Sequence, residues 1–442
     1  MIRLLLFALL STSLHASTPN ILLILSDDQA WTDYSFMGHE HIETPHLDKL
    51  ASESITYTRG YVTTPLCRPS LASIFTGLYA HQTGITGNDL KGISRRTPEG
   101  AQLHQQLYDQ FLQCTGITSE LGKKGYLSLQ TGKWWESDPK RSGFTHTMTH
   151  ADPKRGGRHG DAGLAISRKG IDDIQQFLDT AQAEKKPFFI WHAPFLPHTP
   201  HNPPKQLFEK YQTKVQSPHI ARYYAMVDWF DQTCGELIGE LEKRGLSENT
   251  VIIYVTDNGW IQNPNRKKYA PLSKQDIHET GTRTPIMIRW KGQLKPALDK
   301  TTPVSAIDIA PTILKLAACN IPKAMTGIDL RDRKALQTRN TVFGADHSHD
   351  IKSIDQRTAN LESRFIIQGD WKLILHNPAN FPPPVFGGIR NGKENNPKGK
   401  PELYHLQKDP HELNNLAQQK PDKVAALTKL MNHWWDGSEP QK

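Results

Sequence analysis

Short, largely apolar runs that end in polar residues recur along the chain. The clearest runs span residues 21–25, 126–130, 188–191 and 251–255. Runs of this kind are typical of strands that are buried on both faces. Helical spacing of apolar residues appears between them, over 171–183 and 221–244. The alternation predicts an α/β domain whose central sheet is mostly parallel and is flanked by helices.

Polar clusters follow these predicted strands directly. They are Ser26-Asp27-Asp28 after the first run, Thr131-Gly132-Lys133 after the second, His192 and then His198 after the third, and Thr256-Asp257-Asn258-Gly259 after the fourth. In open parallel sheets, ligands bind beyond the carboxyl ends of the strands. The clusters are therefore expected at the edge of the sheet where ligands bind.

The C-terminal part of the chain has a different pattern. Residues 364–368 and 371–375 predict a β-hairpin around Gly369-Asp370, and residues 421–435 predict an amphipathic helix. Residues 376–401 are rich in Pro, Gly, Asn and Lys and predict a long loop. We therefore predict a catalytic domain over 17–350 and a small C-terminal α+β subdomain with an antiparallel sheet over 351–442.

The first sixteen residues are typical of a signal peptide. Arg3 precedes an apolar stretch from Leu4 to Leu10, and Ala16 offers a small residue before a cut at Ser17. A buried N-terminal helix is the other interpretation. No later segment is apolar enough to span a membrane. The mature protein is therefore expected to be periplasmic or secreted.

Charge and cysteine content add little to this picture. The 442-residue chain has a formal net charge of +8, which becomes +7 when Arg3 leaves with the signal peptide. Such a surface attracts anionic partners, but a solvated basic surface with no specific role explains the charge equally well. No nucleic-acid partner is expected. The four cysteines, Cys67, Cys114, Cys234 and Cys319, are too few for a disulfide scaffold.

Cys67 lies at the predicted N-terminus of a helix. Pro69 suits its first turn, and the apolar spacing that follows fits a helix running to about Tyr79. Free N–H groups and the helix dipole favour an anion at such a position. A buried structural cysteine is the alternative, and it is the commoner fate of a lone cysteine.

The segment Cys67-Arg68-Pro69-Ser70, followed by Thr76-Gly77, resembles the C-x-P-S-R motif of the sulfatase family and the T-G beyond it. The resemblance implies a formylglycine-dependent, arylsulfatase-like hydrolase of sulfate esters with an alkaline-phosphatase-like large domain. It also implies that a formylglycine-generating enzyme oxidises Cys67, and that the hydrated aldehyde is the nucleophile.

Two acidic pairs suggest a metal site. Hard cations such as calcium need several oxygen ligands, mostly carboxylates. Asp27-Asp28 and Asp257-Asn258 follow two buried strands and can converge on one ion, although Asp257-Asn258-Gly259 alone fits an ordinary turn. The resemblance implies that both pairs, together with the modified Cys67, bind calcium.

Three cationic positions resemble sulfate-binding segments of the same family. Lys133 lies in a stretch like G-K-W-H, His198 in one like P-H-x-P, and Lys274 in one like K-G-S-x-x-E-G-G-x-R-x-P. The resemblance implies that these side chains bind the sulfate, and that His198 or Lys274 protonates the leaving alcohol. Taken singly, each lysine is more typical of a solvated surface charge.

The sequence departs from the family pattern at two positions. Leu71 replaces the arginine of C-x-P-S-R, which in the family supports maturation and stabilises the nucleophile; Arg68 offers a guanidinium nearby. Trp135 replaces the histidine of G-K-W-H, which takes a proton during turnover, whereas an indole only donates. His192, His81 and His278 are candidate replacements, and Trp135 could instead stack against a sugar.

Some alternatives remain open. The basic loop with Lys154, Arg155, Arg158 and His159 could bind further anionic groups, although a solvated loop is favoured. A phosphoesterase or phosphonate monoester hydrolase of the same superfamily is the first rival function. An inactive homologue that binds sulfated glycans is the second. The sequence predicts a sulfated small molecule or glycan as the ligand, and it leaves the mode of cleavage and the oligomeric state undecided.

Overall fold

Strand β1 (Asn20–Ser26) lies inside the central sheet, where every one of its residues is buried. The structure is a computed structural model that describes residues 18–150, 163, 165–380 and 399–439. The predicted signal peptide, the basic loop with Lys154, Arg155, Arg158 and His159, and most of the predicted 376–401 loop lie outside these residues.

The described residues form fifteen strands. After β1, they are β2 (Ile55–Tyr61), β3 (Asp89–Leu90), β4 (Leu127–Gly132), β5 (His146–Thr147), β6 (Phe188–Ala193), β7 (Thr250–Thr256), β8 (Arg283–Trp290), β9 (Ala297–Asp299), β10 (Val304–Ser305), β11 (Thr341–His347), β12 (Asp350–Ile351), β13 (Leu361–Gln368), β14 (Trp371–His376) and β15 (Glu402–His405).

The α-helices of the described residues are α1 (Pro45–Ser52), α2 (Cys67–Thr76), α3 (Ala80–Thr83), α4 (Pro98–Leu112), α5 (Ile117–Gly122), α6 (Asp172–Glu184), α7 (Lys205–Gln212), α8 (Pro218–Lys243), α9 (Glu279–Thr282), α10 (Ile309–Leu316), α11 (Arg333–Arg339) and α12 (Pro421–Trp434). Short 3₁₀ turns connect several of these elements.

The central sheet has the strand order β10-β2-β8-β7-β1-β6-β4-β5, and β9 pairs with β2. Only β8 runs antiparallel to its neighbours, β2 and β7, among the described pairings of this sheet. Strands β7, β1, β6 and β4 are therefore mutually parallel, and their carboxyl ends meet at one edge. The polar clusters predicted from the sequence follow these four strands.

Helices cover both faces of the sheet, which explains why β1 has no polar alternation. Ile21, Leu23 and Leu25 pack in one core with residues of α2, α4, α5 and α10. Leu22 and Ile24 pack in a second core with α1, α6 and α8. Successive side chains of a strand point to opposite faces, so both faces of β1 need apolar residues.

The second sheet is antiparallel and has the order β11-β13-β14-β15. Strands β13 and β14 form the predicted hairpin, and α12 packs on the face that contains Ile366 and Leu373. The predicted fold class is thereby confirmed. The domain division between residues 350 and 351 stays a prediction; strand β11, at Thr341–His347, already belongs to this second sheet.

Buried charges join the second sheet to the central one. The Lys372 ammonium, on β14, lies 3.1 Å from Glu279 and 2.9 Å from Glu412, and all three side chains are fully buried. Glu412 also accepts a hydrogen bond from the Glu279 backbone N–H at 2.6 Å. Tyr61, on β2, donates to the other oxygen of Glu279 at 3.1 Å. The ammonium thus compensates two carboxylates at the junction of the sheets.

Within the described ranges, no helix combines the length and the apolar character needed to cross a membrane.

Replacing Lys372 with alanine would remove the ammonium that lies between Glu279 and Glu412, and Glu279 would keep only Arg283, 3.6 Å away, as an ion-pair partner among the described residues. We expect the free energy of unfolding to fall by about 3–5 kcal/mol, because removal of one partner from a buried ion pair strands the remaining charge. Urea denaturation would measure the loss. Lys408→Ala, at an exposed position, is the matched control and should change stability by about 0.5 kcal/mol at most. Equal stabilities of the two variants would contradict the assigned role of Lys372.

Candidate active site

The site begins where β1 ends. Asp27 and Asp28 follow Ser26 directly and are both buried. The backbone of Asp28 has a φ of 65°, a left-handed conformation that aspartate tolerates better than most residues. Its backbone N–H donates to Oδ1 of Asp257 at 3.1 Å, so the ends of β1 and β7 are joined directly.

Asp257 and Asn258 approach Asp28 from the end of β7. The Asn258 side-chain amide donates to Oδ1 of Asp28 at 2.7 Å. The next residue must be glycine, because a Cβ on Gly259 would lie 1.9 Å from the Thr280 carbonyl oxygen. Two buried oxygens, Oδ2 of Asp257 and Oδ1 of Asn258, have no hydrogen-bond partner among the described residues.

Cys67 is the first residue of α2 and faces the acidic pair. Its Sγ lies 4.0 Å from Oδ1 of Asp27 and 3.9 Å from Oδ1 of Asp28. Burial raises the pKa of the thiol far above its ordinary value, and the nearby Lys133 and Lys274 only partly oppose this. In the form described here, Cys67 is therefore a buried thiol at a helix N-terminus.

Lys133 enters the site from the end of β4. The preceding Gly132 has a φ of 76°, and a Cβ there would lie 2.0 Å from the Ala193 carbonyl oxygen, so only glycine fits this approach of β4 to β6. The Lys133 ammonium lies 2.7 Å from both carboxylate oxygens of Asp27. It also lies 3.7 Å from Asp257. Burial would lower the pKa of Lys133, but Asp27 and its neighbours raise it above the ordinary value.

Lys274 and His198 complete the cluster around Asp28. The Lys274 ammonium lies 2.6 Å from Oδ1 of Asp28. The Nε2 atom of His198 lies 3.5 Å from Oδ2. Nδ1 of His198 lies 2.6 Å from the Thr199 carbonyl oxygen, which can only accept, so Nδ1 carries a proton, and Nε2 is the ring nitrogen that faces Asp28 and can gain or release one. Arg168 fixes this loop by donating to the Phe195 and His198 carbonyl oxygens.

The cluster fits a divalent cation. Asp27, Asp28, Cys67 and His198 each offer one ligand atom, and these atoms lie within 4.8 Å of one another. Three carboxyl groups, with Asp257, face two lysine ammonium groups, so one negative charge is uncompensated when all three are ionised and His198 is neutral. Burial and the nearby Asp27 accordingly raise the pKa of Asp257 well above its ordinary value. Oδ2 of Asp257 and Oδ1 of Asn258, which have no hydrogen-bond partner among the described residues, are further oxygen ligands of the kind that calcium prefers.

Arg68 does not face this cluster. Its guanidinium forms a bidentate pair with Glu136 at 2.6 and 2.7 Å, and it is almost completely buried. Leu71 and Trp135, which depart from the sulfatase pattern, line a cavity of about 10 Å³ beside this pair. Trp135 is only 4% exposed, so its buried ring is not a stacking surface in this conformation. It packs instead on Lys133, whose Nζ lies 4.9 Å from the ring centre.

The three candidate replacement histidines lie in other environments. His192 contacts Thr131 and Ser167 through its two ring nitrogens, and burial lowers its pKa to about 3. His81 stacks on Trp435 with ring centres 4.0 Å apart. His278 lies between Asp276 and Glu402, at 2.5 and 3.0 Å. None of them belongs to the group of ligand atoms formed by the described residues.

The sequence interpretation missed a second histidine beside the cluster. The His201 ring packs against Trp260 and Tyr223, with centres 5.7 and 5.5 Å apart. Its Nε2 is buried and has no hydrogen-bond partner among the described residues. The Tyr223 hydroxyl lies 2.6 Å from Oδ2 of Asp33 and 3.1 Å from the Asp28 backbone carbonyl oxygen. The spacing of His198 and His201 in one loop was the only sequence signal for this residue.

Comparison with known proteins identifies the class of this site. The family model "Sulfatase" matches residues 19–319, and the model "N-sulphoglucosamine sulphohydrolase, C-terminal" matches residues 269–374. The first match covers more than half of the chain. The chain belongs to the sulfatase family, as predicted, and is accordingly a sulfuric ester hydrolase by class.

Curated relatives and a solved structure agree with this assignment. The chain is 24% identical to an ulvan-active sulfatase of Formosa agariphila over 71% of its own length, and the match spans 64% of that relative, less than two thirds. It is 23% identical to an N-acetylgalactosamine-6-O-sulfatase of Bacteroides thetaiotaomicron, with 94% and 93% of the two chains covered. The crystal structure of Ps i-CgsB shares the fold, with a TM-score of 0.73, 21% identity and 96% and 94% coverage.

The four cysteines should differ in their reactivity towards thiol reagents. Cys67, before any modification, and Cys234 are buried, and burial raises both thiol pKa values, so neither should react in the folded protein. Cys114 and Cys319 are partly exposed and should react. Peptide mass spectrometry after iodoacetamide treatment would show this, and unfolded protein, in which all unmodified cysteines react, is the control. Rapid labelling of Cys67 in the folded state would contradict its burial.

Proposed function

We propose that this protein removes sulfate from a sulfated carbohydrate through a formylglycine at position 67 and a calcium ion. The observation that carries the proposal is the position of Cys67 within 4.0 Å of both Asp27 and Asp28. This residue begins a helix, and Lys133, His198 and Lys274 surround the same carboxylates. The arrangement suits an anionic substrate held between a nucleophile and several cationic groups.

The substrate class is inferred from two relatives. One is named for activity on ulvan and the other for an N-acetylgalactosamine 6-O-sulfate. Both names describe sulfated carbohydrates. The substrate proposed for this chain is therefore a sulfated glycan or a fragment of one.

Calcium would be held by Asp27, Asp28, Asp257 and Asn258. When bound, the ion would polarise the nucleophile and a sulfate oxygen. It would also reverse the net charge of the cluster, because one uncompensated negative charge would become one positive charge. That change favours a sulfate ester, which is itself an anion.

The remaining side chains have separate tasks in this proposal. Lys133 and Lys274 bind sulfate oxygens, since both ammonium groups already lie within 2.8 Å of the acidic pair that faces Cys67. Lys274 or His198 supplies a proton to the leaving oxygen. In His198, the nitrogen that would release this proton is Nε2, because Nδ1 donates a hydrogen bond to the Thr199 carbonyl oxygen. Arg68 is a positioning residue rather than a sulfate ligand, because Glu136 occupies its guanidinium.

Maturation and export belong to the same proposal. A formylglycine-generating enzyme would oxidise Cys67 before folding, because the thiol is buried afterwards. Residues 1–16 would direct the protein to the periplasm or the medium. Leu71 lies inside the segment that this enzyme would recognise. Conversion of Cys67 to formylglycine in this chain would therefore show that maturation does not require the arginine of the C-x-P-S-R motif.

The mass of the peptide that contains Cys67, taken from protein secreted by its own host, tests the nucleophile. We expect an aldehyde in place of the thiol, together with sulfate release from 4-nitrophenyl sulfate that is lost in Cys67→Ala. An unmodified thiol with no sulfate release would reject the proposal and favour an inactive glycan-binding homologue. Faster cleavage of 4-nitrophenyl phosphate than of the sulfate would favour the phosphoesterase alternative.

Replacing Asp257 with alanine tests the metal site. We expect the variant to lose its thermal stabilisation by calcium, because the carboxylate oxygen aimed at the ion is gone, and to lose sulfate release by at least about 100-fold. Asp355→Ala, at an exposed carboxylate, is the control and should behave like the unchanged protein. Normal calcium stabilisation and normal turnover of Asp257→Ala would rule out the proposed ligand.

A further inference from the structure

A short hairpin connects the two halves of the active site. Residues 261–270 lie between Asn258, on the metal side, and Lys274, on the sulfate side. Gln262 and Tyr269 form an antiparallel bridge, and the Ala270 N–H donates to the Ile261 carbonyl at 2.6 Å. The tip carries three consecutive basic residues, Arg266, Lys267 and Lys268, and all three are exposed.

One buried side chain fixes the conformation of the tip. The Gln262 amide nitrogen lies 2.9, 2.8 and 3.1 Å from the carbonyl oxygens of Asn263, Arg266 and Lys268. The Gln262 oxygen accepts a hydrogen bond from the Trp260 indole at 3.2 Å. The backbone that carries the basic residues is therefore ordered by these hydrogen bonds. Little of its conformational freedom is lost when a ligand binds, which reduces the entropic cost of binding.

The same contacts connect the tip to the catalytic cluster. Trp260 lies below the Lys274 ammonium, 5.6 Å from Nζ to the ring centre. Tyr269 packs edge-on against Trp260, with ring centres 5.3 Å apart. Lys268 is the neighbour of Tyr269, about 3.8 Å away between Cα atoms. The backbone of the tip is thus connected to the Lys274 side of the site through Gln262 and Trp260.

The charges at the tip are not neutralised within the protein. None of the three side chains has a carboxylate within 4.0 Å among the described residues, although other basic side chains of this region do. Lys210 pairs with Asp228 and Glu43 at 2.6 and 2.8 Å, and Lys214 pairs with Glu43 at 2.5 Å. An unpaired basic group on a fixed backbone beside an anion-binding site is suited to a second anion.

We propose that Arg266, Lys267 and Lys268 bind anionic groups of the substrate other than the sulfate that is removed. The proposal rests on the proposed function and narrows it. The substrate is then a polyanionic oligosaccharide, with sulfate or carboxylate groups on sugar units beyond the reacting one, rather than a small ester with a single charge. A purely solvated tip is the competing interpretation, and it predicts no dependence of binding on these residues.

The test neutralises the tip in the full-length protein. The variant R266Q/K267Q/K268Q removes three charges, and K124Q/K185Q/K295Q removes three exposed charges before β4, β6 and β9, at the opposite edge of the sheet. Both are made on Cys67→Ala, so binding is measured without turnover. The probe is a fluorescein-labelled chondroitin 6-sulfate hexasaccharide, which carries a carboxylate and a sulfate in each disaccharide, and fluorescence anisotropy gives its Kd at several salt concentrations.

We expect the tip variant to bind the hexasaccharide at least about 10-fold more weakly and to show a smaller dependence of Kd on salt, because fewer ions are displaced on binding. The control variant should change Kd less than about 2-fold. Equal weakening in both variants would show a general charge effect, and an unchanged Kd in the tip variant would show a solvated tip. Either result, or a lack of binding by the parent protein, overturns the inference.

Turnover separates this inference from the proposed function. With Cys67 restored, the tip variant should hydrolyse 4-nitrophenyl sulfate with a kcat/KM within about 2-fold of the unchanged protein, because that ester has one charge and does not reach the tip. Absence of sulfate release from the unchanged protein would reject the proposed function alone. A large loss on 4-nitrophenyl sulfate in the tip variant would mean that the hairpin shapes the catalytic cluster, and it would reject the separate anion site.

Discussion

The structure depends on a pair of carboxylates buried at the end of the strand in the middle of the sheet. Asp27 and Asp28 have almost no contact with solvent, and burial of uncompensated charge is costly. Every neighbouring element supplies a compensating group: Lys133 from β4, His198 from the loop after β6, Asn258 from β7 and Lys274 from the turn before α9. Burial would raise the pKa of Asp28, yet Lys274, His198 and Lys133 lower it well below its ordinary value. Lys133, His198 and Lys274 are also the groups that we propose bind the sulfate.

The second sheet holds one of these groups in place. Lys274 lies on a turn whose later residues, His278 and Glu279, are clamped by Glu402, Lys372 and Glu412 from the C-terminal part of the chain. Loss of these contacts would make the turn more mobile and would move the Lys274 ammonium away from Asp28. The C-terminal sheet is thus a support for the site, although its core is separate from the two cores that cover the central sheet.

The sequence predicted the strands and the four clusters because continuous apolar runs and the polar residues after them are local features. Asp27, Lys133, His198 and Asp257 could be placed in this way, together with the helix that begins at Cys67. The partner of Arg68 could not, because Glu136 is sixty-eight positions away and nothing local marks it. His192 and His278 looked equivalent in sequence, but one is fully buried against Thr131 and Ser167 and the other is held between two carboxylates. Such differences arise only from tertiary packing.

The two departures from the sulfatase pattern lie next to each other and change the same wall of the site. Leu71 and Trp135 line one small cavity together with Arg68, Lys133 and Glu136, and both side chains are buried. A polar replacement of Leu71 would leave a buried group in need of a partner, whereas the leucine side chain needs none. The neighbouring guanidinium of Arg68 is neutralised by Glu136, so it adds no net charge to the wall. The positive charge near this wall therefore comes from Lys133, against which Trp135 packs, and burial strengthens the electrostatic interactions of that ammonium with its neighbours.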